Sequence, residues 1–283
     1  MRGNQVPSRT LAIHCCAQHD GCHSASLALL RFLYYTIPYY ALILAQPQLT
    51  DTALRAAFLP TLPHASPLDL ADAPLREALS FLQVVGLVAV HGSPQHYQAT
   101  PQLADAPFAL LLLHHLANQC DPRQQALSRI QRTLVASDTL AVTPQALRAT
   151  MERGPLRDLF AWTGEKVTFW SHLYAYLGLM RRIERTTELL VLPQPALVLT
   201  TLTWAQQCLD ANPSLAAALR LIDQTLYACF TSHGQLQRGL AQTLSAMERL
   251  GQLRFSHHAD AAQSLMLGER RVSEVVMAIA KSS

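Results

Sequence analysis

Three times this chain runs an amphipathic helical segment into a glycine and then directly into an apolar, strand-like start. The junctions read Phe81-Leu82-Gln83-Val84-Val85-Gly86-Leu87-Val88, Leu173-Tyr174-Ala175-Tyr176-Leu177-Gly178-Leu179-Met180 and Ala246-Met247-Glu248-Arg249-Leu250-Gly251-Gln252-Leu253. A glycine placed just after the last periodic residue is how a helix ends in a left-handed turn. Each junction therefore predicts a helix, a stop and a strand. The separations between them differ, which excludes a tight solenoid repeat.

The chain has 283 residues, of which half are hydrophobic and 14% charged, with only 11 glycines. That is ample apolar material for folded cores and favours helix. The formal net charge of +3 permits nucleic-acid binding without demanding it. Six cysteines without disulfide-scaffold spacing point to a reducing cytoplasm. Arg2 and Arg9 begin the chain as a signal peptide would, but the polar stretch His14–Ser24 interrupts the apolar run that such a peptide needs. The run Ala25–Ala45 holds Arg31 and Pro38, so it reads as a buried or amphipathic helix rather than a membrane span.

Taken in order, residues 1–24 read as a flexible tail. Its His14, Cys15, Cys16, His19, Cys22 and His23 lack the second ligand pair of a zinc finger, so no metal site is expected there. Residues 25–104 form a first unit of helices closed by a hairpin from Leu87–Val90 to His96–Thr100, with His91-Gly92-Ser93-Pro94 as the turn. Residues 105–200 form a second. Its first helix is apolar on all sides at Phe108–Leu113, which predicts burial between units. The next, Pro122–Val135, carries Arg123, Arg129 and Arg132 at polar positions. Residues 201–283 form a third unit, in which Leu265–Leu267 is expected to pair back on Leu253–Phe255 and Val272–Ala280 to close as a helix.

On these three junctions the chain resembles the winged helix-turn-helix superfamily, in which a helix ending in Leu-Gly-Leu-Val-like residues leads into a β-wing. The resemblance implies a mainly α fold of tandem winged-helix-like units and a non-enzymatic protein of prokaryotic type that binds double-stranded DNA. Such domains commonly serve as regulators, or as subunits of plasmid, phage-related or anti-phage defence systems. The helix before the wing would enter the major groove. In the second unit its exposed face would show Lys166, Thr168, Ser171 and His172, and the wing would add Arg181, Arg182 and Arg185. Arg238 and Arg254 are the corresponding choices in the third unit, where Arg249, Arg270 and Arg271 lie close by in sequence.

Enzyme chemistry finds no foothold. There is no phosphate-cradling glycine loop, nucleophile elbow or metalloprotease helix. The adjacent pair His114-His115 points to two helix faces, and Cys229 with His233 lacks a third ligand. No cofactor is expected. The alternative to DNA binding is a scaffold whose apolar surfaces hold a protein partner or a second copy, with no membrane involved.

Overall fold

The computed structural model describes residues 36–46, 48–58, 69–93, 95–100, 106–118, 122–153, 156–158, 161–183, 186–209, 213–258 and 263–277. The tail with its Cys/His cluster, the first part of the Ala25–Ala45 helix, and Arg185 lie outside them. The described chain is helix-rich, with small antiparallel sheets rather than purely α.

The first segment runs helix α1 (36–45), β1 (Leu49–Thr50), α2 (Asp51–Phe58), α3 (Asp69–Val84), β2 (Val88–His91) and β3 (His96–Ala99). Its sheet has the order β1-β3-β2. After α4 (Phe108–Asn118), the same succession returns as α5 (Pro122–Ala136), β4 (Ala141–Val142), α6 (Pro144–Met151), α7 (Gly164–Tyr176), β5 (Arg181–Arg182) and β6 (Leu189–Leu190). Its sheet is ordered β4-β6-β5, so both sheets place the last strand between the other two.

The C-terminal segment is built differently. Helices α8 (Pro195–Cys208), α9 (Leu215–Thr225) and α10 (Arg238–Arg249) precede β7 (Leu253–Ser256), β8 (Leu265–Leu267), β9 (Arg270–Val272) and β10 (Glu274–Met277). Two expectations are corrected here. Leu265–Leu267 pairs with β9, not with β7. The expected helix from Val272 is extended through Met277, and β10 pairs with β7. Val275 is buried opposite Phe255 while Glu274 and Val276 are exposed, the period-2 alternation of a half-buried strand.

All three glycine junctions close in the same way. Gly86, Gly178 and Gly251 have φ of 77°, 79° and 71°. Leu87 N–H reaches Leu82 O at 2.9 Å, Leu179 reaches Tyr174 O at 3.0 Å, and Gln252 reaches Met247 O at 2.9 Å. Each is the six-to-one bond of a Schellman cap, which satisfies otherwise orphaned carbonyls. Asp138 ends α5 with the same geometry at φ 51°, and Thr139 N–H reaches Leu134 O at 2.9 Å. An aspartate tolerates this region at a cost glycine avoids, and its carboxylate meets the first turn of α10.

Helix α4 is the hub. Leu110, Leu111, Leu112, Leu113 and Leu116 are all buried, as an all-round apolar helix requires. It meets α1 through Tyr40 and Phe108, packs on α5, and meets α9 where Asn118 Nδ2 donates to Thr225 O at 3.0 Å. Helix α8 packs on α9 and α10, while Leu197 in its first turn lies against Gly178 of the second segment. No described helix is long and apolar enough to cross a membrane.

Candidate nucleic-acid interface

Helix α7 starts where Thr163 accepts a hydrogen bond from Lys166 N–H at 3.4 Å, an N-cap that ends the preceding loop. Its aromatic stripe then ties it to α5. Trp170 Nε1 and the Tyr174 hydroxyl both donate to Leu127 O, at 3.0 and 2.8 Å, and the two rings stack with centroids 4.4 Å apart. Burial pushes the Tyr174 phenol far above its usual range, so it stays a neutral donor.

The face expected to read DNA is not open. Ser171 and His172 are buried, and Ser171 Oγ donates to Val167 O at 2.7 Å. Thr168 is half-buried. Lys166 is exposed in the first turn, but its Nζ donates to Ala161 O at 2.7 Å. The wing strand β5 carries Arg181 and Arg182 into solvent. Arg182 Nη1 donates to His172 Nε2 at 2.7 Å. A guanidinium has only donors, so the imidazole accepts and is neutral. In α7, then, two of the four expected readers serve packing, and one wing arginine is latched to the helix behind it.

An open helix face lies instead on α10. Its buried side is Gly239, Leu240, Thr243, Leu244 and Met247. The opposite stripe is Arg238, Gln242, Ser245 and Arg249, spaced four, three and four residues apart on one helix face. A groove of about 1040 Å³ runs between this stripe, the loop at Gly234–Leu236 and the β8 strand residues Leu265 and Met266. The β8–β9 hairpin is fixed beside the helix by Arg270, whose Nη2 sits 2.9 and 2.7 Å from the two Glu248 carboxylate oxygens. That guanidinium also lies 6.0 Å from the Phe255 ring centre. Met266 and Arg271 are direct cross-strand partners, and both are exposed.

Helix α10 is held from below by polar bonds to the second segment. Gln237 is buried; its Oε1 accepts from Leu240 N–H at 2.8 Å, capping the helix, while Nε2 donates to Thr139 O and Val191 O at 3.3 Å. Thr243 Oγ1 donates to Pro193 O at 2.7 Å. Arg238 is committed here too: its Nε lies 2.6 Å from Asp138 Oδ2, and Asp138 Oδ1 accepts its backbone N–H at 2.9 Å. Arg238 is therefore a joint residue rather than a free cation. Arg254 faces solvent on β7 beside Val276 and does not line the groove.

Gln242, Ser245 and Met266 are the groove residues that sequence reasoning missed. The polar stripe at 238, 242, 245 and 249, set against Leu240, Leu244 and Met247, is the signal that carries Gln242 and Ser245; nothing comparable marks Met266. Among the described residues no group of three or more His, Cys, Asp or Glu could hold a metal ion. His114 and His115 lie on α4; His115 is buried, and desolvation lowers the pKa of both rings. No protein-family model matches the chain, and neither a curated protein nor a solved structure matches it.

Proposed function

We propose that this chain is a non-enzymatic, tandem winged-helix protein that binds double-stranded DNA through the groove between α10 and the β8–β9 hairpin. The observation that carries the reading is the polar stripe Gln242, Ser245 and Arg249 on a helix flanked by a hairpin in which exposed Arg271 stands opposite Met266 of the groove lining. A helix with a polar face and an adjacent β-ribbon is the shape that the major groove and its neighbouring backbone accept. The winged-helix assignment is supported by the succession helix, strand, helix, helix, strand, strand, found twice with one sheet order. The third unit keeps the helices and hairpin and replaces the simple wing with a longer one.

Charge sets the strength. Arg249 supplies a cation at the groove, Arg271 one on the hairpin strand opposite Met266, and Arg181 one on the second wing. With Z near 3, the slope of log K against log salt is roughly −0.9Z, so a fourfold rise in salt weakens binding roughly 40-fold. Titrating the full chain with a duplex at two salt concentrations reads this slope directly. A slope near zero with any detectable binding contradicts phosphate contact. Exposed Leu250, Met266 and Val276, at 71%, 51% and 58%, favour a second reading as a protein-binding scaffold. No duplex binding at low salt moves the assignment there.

A further inference from the structure

We infer that a second groove, between the C-terminal halves of α5 and α6, binds a small phosphorylated ligand such as a phosphate ester or polyphosphate. This groove is independent of the proposed DNA interface. It encloses about 660 Å³, a size that suits a small molecule, and three arginines line it: Arg129, Arg132 and Arg153. Among the described residues no carboxylate lines it.

Glu152 pairs with Arg148 at 2.7 Å; Asp223 Oδ1 accepts from Cys229 N–H at 2.6 Å, while its Oδ2 lies 3.9 Å from Arg132 Nη1 and offsets part of that arginine's charge. Two of the arginines are held in place. Arg129 Nη2 donates to Gln125 Oε1 at 2.6 Å, and Arg132 Nη2 donates to Asp223 O at 2.7 Å, each using part of a five-donor fork. Arg129, whose acceptor is a neutral amide, keeps its full charge, and its remaining donors match phosphate oxygens in pairs. Arg153, exposed at the end of α6, closes the third side. Leu156 and Ala136 add an apolar patch for the organic part of an ester.

The hydroxyls nearby do not compete for this role. Thr133 and Thr150 donate to the carbonyls of Arg129 and Ala146 on their own helices, at 2.8 and 2.9 Å. Recognition therefore rests on the arginines, which predicts selectivity for charge over shape.

The test is calorimetric titration of the full chain with inorganic pyrophosphate, at constant ionic strength, beside sulfate. Arg129→Gln with Arg153→Ala is the variant, and Arg249→Ala with Arg271→Ala the control; Arg132 is left because it holds Asp223. Saturable one-site binding of pyrophosphate is expected, weakened at least tenfold in the groove variant and unchanged in the control. Thermal midpoints confirm that both variants fold. No saturable binding, or equal binding by the groove variant, overturns the inference. So does duplex affinity that falls in the groove variant while pyrophosphate never binds, since the arginines then belong to the DNA path.

Discussion

A β-carbon on Gly239 would collide with the carbonyl oxygen of Val191. The partner is backbone, so no side chain can swing aside. Gly239→Ala is therefore expected to destabilise the fold by about 1–3 kcal/mol, the range for overpacking, or more. A thermal melt checks this, and an unchanged midpoint contradicts the close approach. His115 makes a second prediction. Its pKa is lowered in the folded state, chiefly by desolvation and then by His114, so below the ordinary histidine range the unfolded chain binds more protons than the folded one. Stability is then full above that range and falls as pH drops through it. Urea midpoints should fall from pH 7.5 to pH 5, and fall less in His115→Leu, with His114 supplying the remainder. Equal pH dependence in both proteins contradicts the assignment. Neither feature is legible in the sequence. A glycine inside a helix looks like a weak position, and the pair His114-His115 shows only that it points to two helix faces, until the neighbouring chain is placed.

Single elements show where sequence reading succeeds and where it stops. The three glycine junctions are legible because a Schellman cap is local: the glycine, the helix before it and the apolar residues after it all lie within eight positions. The buried α4 is legible because four consecutive leucines leave no polar face. The covering of α7 is not, because Lys166, Thr168, Ser171 and His172 look polar whatever lies over them. His172 and Ser171 are covered, and their polar atoms are met by Arg182 and Val167. The end of the chain misleads for the opposite reason. Val272–Met277 carries enough apolar residues to suit a helix, and only pairing with Leu253–Ser256 makes it a strand. Buried polar side chains between elements should matter more than exposed ion pairs. Gln131 Nε2 donates to Ala228 O at 3.1 Å, and its Oε1 accepts from Ala228 N–H at 3.0 Å. Gln131→Leu leaves both groups unpaired, at about 1–3 kcal/mol each. Arg148→Ala, which removes an exposed pair, should cost under about 0.5 kcal/mol. Denaturant unfolding of the two variants checks the contrast; equal costs contradict it.

At the scale of the molecule, the second and third segments are one block. Gln131 with Ala228, Arg132 with Asp223, Asp138 with Arg238, Gln237 with Val191 and Thr243 with Pro193 cross the boundary between them. Asp138 in the left-handed region has its reason here: the strained cap aims a carboxylate at the first turn of α10, where it also complements the helix dipole. The block holds α10 by its buried side and leaves the Gln242–Arg249 stripe open to the β8–β9 hairpin. The most direct test of that arrangement compares two variants of the full chain in duplex titrations at two salt concentrations. Arg249→Ala with Arg271→Ala is expected to weaken binding and reduce the magnitude of the salt slope by about 2, roughly one unit for each phosphate no longer neutralised. Arg181→Ala with Arg182→Ala is expected to change it by at most about 1, because neither residue of β5 lines the α10 groove. A wild-type slope that survives in the α10 variant and collapses in the β5 variant would contradict the account and return the interface to the second wing.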